Sequence, residues 1–184
     1  METIILASNS PRRKELLEQA GIPFIVMPAD IDETFDDNKD CYQNVLETAK
    51  KKCLAIWEKS KKVTVLSADT IVVLDGVVFG KPKSKLDAYS MLKKLSGKTH
   101  KVITAVMIKN NQEEHLFYDE SSVTFKNLTD KEIWDYIETK EPMDKAGAYA
   151  IQGLGGKFIS HFEGRMSTII GLPIELVSKI IKKA

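Results

Sequence analysis

The sequence predicts a mixed α/β fold in a single domain, and three observations carry that expectation. Apolar runs with strand character alternate with helix-period runs along the whole chain. Several helical runs begin at a capping residue, among them Ser10, Ser84 and the Thr129/Glu132 capping box. No repeat, low-complexity tract or Pro/Ser-rich linker divides residues 1–184.

Thr3 to Ala7 reads as a short β-strand, and Pro11 to Ala20 as a helix with Leu16, Leu17 and Ala20 on one side. Phe24 to Met27 is a second strand, followed by an acidic loop with Asp30, Asp32, Glu33, Asp36 and Asp37. Tyr42 to Lys59 forms a helix whose apolar arc carries Val45, Leu46, Ala49, Cys53, Ile56 and Trp57. Val63 to Leu74 is almost wholly aliphatic or β-branched, and Asp75-Gly76 turns it back into Val77 to Phe79. Ser84 caps a helix through Leu95 that stops at Gly97, and Val102 to Ile108 and Leu116 to Phe125 are a strand pair. The capping box opens a helix reaching about Thr139. Past a glycine-rich stretch from Gly147 to Gly156, Phe158 to Phe162 is a strand, and Pro173 opens a last helix with Val177, Ile180 and Ile181 inward.

A chain of 184 residues can bury roughly 70% of its unfolded surface, enough for a real core. Its 27 Lys and Arg nearly balance 26 Asp and Glu, leaving a formal charge of +1. No overall field therefore draws in a phosphate polymer, and nucleic acid is not an expected partner. Cys41 and Cys53 make no CxxC pair and His100, His115 and His161 have no ligand spacing, which argues against zinc and a disulfide framework. The start lacks a secretory pattern and no run reaches the ~18 apolar residues of a membrane span, so the expected setting is cytoplasmic and away from membranes.

Chemistry is concentrated in a few places. Ser8-Asn9-Ser10-Pro11-Arg12-Arg13 joins the first strand to the first helix, with Ser10 as N-cap and Pro11 at the first helical position. Such a helix start suits a phosphate chain, because free amides and the helix dipole already favour an anion. The same residues also make an ordinary capped helix with solvent-facing arginines. Asp69 interrupts an otherwise buried strand, in Ser67-Ala68-Asp69-Thr70, so it must be paired, metal-bound or protonated, or else cap a strand break. Glu33 in the acidic loop is either simply solvated or, with Asp69, a hard oxygen ligand for magnesium or manganese. Lys52 borders the apolar face of its helix, and Lys81 is presented by Gly80-Lys81-Pro82; each either snorkels to water or reaches an anion. Lys145 to Gly153 is small and glycine-containing, with Gln152 its only amide side chain, fitting a tight connection or close approach of a ligand.

Taken in order, these pieces resemble the Maf family of nucleotide pyrophosphatases, from Leu6 to Pro173. The likeness includes Ser8-x-Ser10-Pro11-Arg12-Arg13 with Glu15-Leu16-Leu17, then Asp32-Glu33, Ala49-x-x-Lys52, Ala68-Asp69-Thr70 and Gly80-Lys81-Pro82. It continues with Leu95-Ser96-Gly97-x-Thr99-His100, Lys145-Ala146-Gly147 and Gly171-Leu172-Pro173. The resemblance implies an elongated, twisted mixed sheet flanked by helices, two lobes around a central cleft, and kinship with inosine triphosphate pyrophosphatases. It further implies cleavage of a nucleoside triphosphate to monophosphate and pyrophosphate with a divalent cation, Mg2+ or Mn2+. Ser8, Arg12, Arg13, Glu33, Lys52, Asp69, Lys81 and Gln152 fall on the family's cleft residues, Asp69 as proton acceptor. Family members are often dimeric, so a homodimer is the implied assembly.

Arg12, Thr70 and Gln152 resemble the dTTP/UTP branch, where the 7-methyl-GTP branch tends to have Trp, Gln and Glu. A glutamine amide both donates and accepts, matching the N3-H and O4 of uracil or thymine, whereas a carboxylate suits the donors of guanine. The rival readings are a pyrophosphatase for modified nucleotides such as 7-methyl-GTP, and a nucleotide-binding regulator of septum formation. The chain departs from many relatives in Gly164-Arg165-Met166-Ser167-Thr168, where they read Gly-Asp-Tyr-x-Asn, so the loop brings an extra cation near the glycine-rich segment.

Overall fold

The computed structural model describes residues 1–60 and 62–183. In chain order it contains β1 (Ile4–Leu6), α1 (Pro11–Gln19), β2 (Phe24–Val26), α2 (Cys41–Ser60), β3 (Val65–Leu74), β4 (Val77–Phe79) and α3 (Lys85–Leu95). There follow β5 (Thr99–Lys109), β6 (Glu114–Phe125), α4 (Asp130–Glu138), β7 (Ile159–Glu163), α5 (Met166–Ile170) and α6 (Ile174–Ile181). Among the described residues the strands form one seven-stranded sheet in the order β2-β1-β3-β5-β6-β7, with β4 also paired to β3. The sheet is mixed: β1 runs parallel to both β2 and β3, while β4 is antiparallel to β3 and β7 antiparallel to β6. This is the mixed, helix-flanked α/β class that the sequence predicts.

The chain forms two compact units, one of residues 1–70, 104–119 and 171–184, the other of residues 71–103 and 120–170. The strands β3, β5 and β6 contribute residues to both. In the first unit, Ile5, Val65 and Met107 from the strands, with Ala7 just past β1, pack with Cys53 and Ile56 of α2. Burial holds the Cys53 thiol up at about 12, so this cysteine behaves as a small apolar core residue. The parallel register pairs Ile5 with Val65 and Leu6 with Leu66, so β1 and β3 lie side by side just before Ser8 and Asp69. That pairing fixes the positions of both functional segments.

The second unit has its own core, in which Ala88, Leu92 and Leu95 of α3 and Ile133, Tyr136 and Ile137 of α4 meet Val72, Val123, Phe125 and Phe158. Both helices start as their sequences dictate: Ser84 Oγ accepts from the Asp87 amide at 3.0 Å and Thr129 Oγ1 from the Glu132 amide at 3.1 Å. Inside this core His100 Nε2 lies 2.6 Å from Tyr149 Oη. Burial lowers the His100 pKa to about 4, so the imidazole is neutral at physiological pH.

Most expected elements are present with shifted ends. The strand expected from Val63 begins at Val65, and the last strand is Ile159–Glu163 because Leu154–Phe158 winds into a 3-10 turn. The glycine-rich stretch is a chain of short 3-10 turns, and α5 was not expected: five residues are too few for a helical period to declare itself.

Gly147 ties this stretch down. Its amide donates to Gly80 O at 3.1 Å, beside Lys81, and its backbone has φ of 70°, a left-handed conformation. A Cβ at this position would lie 2.9 Å from Val72 Cγ2. Gly147→Ala therefore meets both strain and overpacking and should lower the unfolding free energy by about 2–4 kcal/mol. A urea unfolding midpoint equal to that of the unmutated chain would refute the assignment.

Candidate active site

Asp69 sits within β3, flanked by residues that are fully buried on its N-terminal side. Its carboxylate is not isolated. Lys52, projecting from α2, places Nζ 3.3 Å from Asp69 Oδ1, 2.7 Å from Glu33 Oε1 and 3.4 Å from Ala68 O. The lysine and the aspartate side chains are 14% and 16% exposed while Glu33 is 55% exposed, so the cluster runs from the buried strand out to solvent. Lys52 accordingly does not snorkel to water; it neutralises two carboxylates at once.

Burial raises the Asp69 pKa above the ordinary carboxylate value; Lys52 and Arg13 oppose that rise and the neighbouring Glu33 charge adds to it. The outcome is a carboxylate more basic than one in water, yet kept ionisable by cations. That combination is what a proton acceptor requires.

Next to Asp69, Thr70 belongs to a second network organised by Arg13. The Arg13 guanidinium donates from Nε to Gly171 O at 2.8 Å, from Nη1 to Ser8 Oγ at 3.1 Å and from Nη2 to Thr70 Oγ1 at 3.1 Å. Ser8 Oγ also accepts from the Ser10 amide at 3.2 Å, and Ser10 Oγ caps α1 by accepting from the Arg13 amide at 3.4 Å. Thr70 Oγ1 lies 2.9 Å from Thr104 Oγ1. Burial lowers the Arg13 pKa to about 10, with Asp69 working against the drop, so the group stays charged at neutral pH.

The solvent-facing alternative for the arginine pair thus fails for Arg13, which is buried, while Arg12 is half-buried. Within the first unit the structure brings together Ser8, Arg13, Glu33, Lys52, Asp69 and Thr70. Lys81 and Gln152 belong to the second unit and are both exposed there, Lys81 two residues after β4 and Gln152 between Ile151 and Gly153 of the glycine-rich stretch. Sequence reasoning missed Thr104, and it named Gly171 only within the Gly171-Leu172-Pro173 motif, with no role for it. Thr104 looks like any strand threonine, and Gly171 acts through a backbone carbonyl that carries no side-chain signature.

Oxygen is the donor that this site offers to a metal. Among the described residues no group of three or more His, Cys, Asp and Glu side chains is gathered for an ion. The pair Glu33 and Asp69 fits a hard cation such as Mg2+, which keeps waters and takes further oxygens from a substrate's phosphates.

A family model described as Maf-like protein matches residues 3–184. This chain belongs to the Maf family. A Bdellovibrio bacteriovorus protein named dTTP/UTP pyrophosphatase is 46% identical over 187 residues, covering 98% of this chain and 97% of that one. A protein of the same name from Caldicellulosiruptor bescii is 43% identical, covering 100% of this chain and 95% of its own length. Among solved structures, the Staphylococcus aureus Ham1 protein aligns over 99% of both chains with a TM-score of 0.54 at 16% identity, a likeness of fold. Most of the Maf motifs named from the sequence lie at the two networks just described and in or beside the loops of Lys81 and Gln152, while Leu95 to His100 runs from the end of α3 into β5 in the second unit.

The pKa balance at Asp69 has a direct consequence. Its carboxyl should titrate above 3.8, the ordinary value. In Lys52→Met the titration should move higher still, since the cation that favours the ionised form is gone. Carboxyl-carbon NMR titration of both proteins checks this, and a midpoint that falls or stays put in the variant would contradict the proposed role of Lys52. The sign for stability follows: the protonated form is favoured by folding, so stability contributed by Asp69 is present at low pH and is lost as pH rises through its folded pKa.

Proposed function

We propose that this chain hydrolyses dTTP and UTP to the monophosphate and pyrophosphate, acting as one functional domain across residues 1–184. The observation that carries this reading is the Asp69 carboxylate, raised in basicity by burial and held ionisable by Lys52 at 3.3 Å. The names and full-length similarity of the relatives supply the substrate class.

In this reading the triphosphate's charge is met by Arg12, Lys52 and Lys81, and Ser8 donates its hydroxyl proton to a phosphate oxygen while accepting from Arg13. Asp69 orients a water molecule and takes its proton as the water oxygen bonds to the α-phosphorus. The bond from that phosphorus to the bridging oxygen breaks, and pyrophosphate leaves with its charge neutralised by the lysines. A divalent cation, Mg2+ or Mn2+, would be held by Glu33 and Asp69 and would supply additional neutralisation of the phosphate oxygens. Each carboxylate meets Lys52 through a single oxygen, Oε1 of Glu33 and Oδ1 of Asp69, and the other oxygen of each is the proposed metal donor.

Arg13 keeps a supporting part: three of its five N–H groups go to Gly171, Ser8 and Thr70, which sets the direction of the Ser8 and Thr70 hydroxyls. Base choice falls to Gln152, whose amide offers a donor and an acceptor to the edge of uracil or thymine. No helix among the described residues is long and apolar enough to cross a membrane, and a cytoplasmic setting suits an enzyme of nucleoside triphosphates.

The test is to incubate the purified protein with UTP and Mg2+ or Mn2+ in 18O-labelled water. Attack at the α-phosphorus puts the label in UMP and none in pyrophosphate; labelled orthophosphate instead would reject the reading. Asp69→Asn should retain the fold and lose at least about a hundredfold in kcat. Near-normal turnover by that variant would remove Asp69 from the role of proton acceptor.

A further inference from the structure

Gln152 is exposed at the head of a stretch in which three of the next four residues are glycine, a composition that by itself makes a floppy chain. The structure holds this segment by its backbone on both sides of Gln152. The Ala150 amide, two residues before it, donates to Tyr136 Oη at 3.2 Å. The Leu154 and Gly155 amides, after it, donate to the two oxygens of Glu141 at 3.0 and 3.1 Å. The two anchors are themselves joined, for the Tyr136 hydroxyl is hydrogen-bonded to the Glu141 carboxylate.

The glycines follow from this arrangement. A Cβ on Gly153 would overlap the Glu141 carboxylate, and one on Gly155 would come within 2.6 Å of Tyr136 Oη. Tyr136 is locked in the core by a perpendicular ring contact with Phe158 at 5.0 Å. Burial raises the pKa of Glu141, but its bonds from Tyr136, Leu154 and Gly155 outweigh this and lower it overall, so the carboxylate stays ionised at neutral pH. The loop therefore closes against a fixed tyrosine and a fixed charge.

We propose that Glu141, with Tyr136, is a positioning residue for base selection, holding Ala150 to Gly156 in the single conformation from which Gln152 reads the base. The inference rests on the proposed role of Gln152. A glutamine amide can turn over and suit cytosine as well as uracil, so discrimination between them depends on what fixes its backbone. Neither Glu141 nor Tyr136 touches the substrate in this scheme. They act on selection through the loop.

The experiment compares kcat/KM for UTP and for CTP in the full-length protein, in Gln152→Ala, in Glu141→Gln and in Tyr136→Phe. Glu141→Gln replaces one acceptor oxygen by a donor facing an amide, and Tyr136→Phe deletes the acceptor for Ala150. The expected result is that each anchor variant lowers the UTP to CTP ratio by roughly tenfold. Most of the loss should lie in KM for UTP, with kcat for CTP preserved. Hydrogen exchange at the Leu154 and Gly155 amides should quicken in Glu141→Gln. Tyr136→Phe serves as the test if Glu141→Gln does not fold. Equal losses for UTP and CTP in the anchor variants, while Gln152→Ala still lowers the ratio, would overturn the positioning role alone. A ratio unchanged in Gln152→Ala would overturn the reading of Gln152 and the inference with it.

Discussion

The site in the first unit depends on keeping a carboxylate ionisable inside a strand that is otherwise buried. Removing an unpaired charge from water costs several kcal/mol even after relaxation, and Asp69 would simply take up a proton if nothing answered it. Lys52 provides the answer from α2, at 3.3 Å, and Glu33 holds the lysine in place at 2.7 Å. The parallel pairing of β1 with β3 brings the Ser8 segment beside the same strand. Fold and chemistry meet here because one helix and two strands must be in register for the aspartate to be neither stranded nor neutralised.

Arg13 solves a related problem differently. A buried guanidinium is costly, and three good acceptors reduce that cost. Two of them, Ser8 Oγ and Thr70 Oγ1, belong to residues with proposed substrate roles, and the third is the carbonyl of Gly171. Ser8 Oγ accepts from Arg13 and from the Ser10 amide and keeps its own proton to donate, whereas Thr70 Oγ1 shares a further hydrogen bond with Thr104 Oγ1. Arg13 thus turns the rotatable Ser8 hydroxyl into a directed donor, and it ties the segment before α1, the middle of β3 and the segment before α6 at one point.

How much of this could be read in advance differs by feature. The strand and helix alternation was plain, because β3 is an apolar run, α2 and α4 have apolar periods and three helices carry side-chain caps. Element ends were less clear, and α5 and the 3-10 turns left no periodic signal. Asp69 was legible as a charge in a buried run, and Lys52 as a lysine at the edge of an apolar arc. Their contact was not legible, since residues 17 apart on a helix and a strand meet only through tertiary packing. Glu33 stood out from Asp30 and Asp36 through the Asp32-Glu33 pair of the resemblance, and its contact with Lys52 gives that distinction a physical basis. The anchors Glu141 and Tyr136 were invisible: an acid after a helix and a tyrosine on its apolar face have ordinary explanations.

The two units handle polar groups in opposite ways, and the contrast bears on what each can do. In the first, charged side chains are clustered and partly buried, which strengthens their fields where charge on a phosphate must be met. In the second, Glu141 spends its charge on backbone amides, and His100 is kept neutral by burial. The Glu141 charge is thus taken up by backbone amides of the glycine-rich segment, which suits the proposed reading of a base by Gln152 through the direction of its hydrogen bonds. Recognition by shape and donor pattern works best where no strong local charge overrides it, and chemistry on an anion works best where one does.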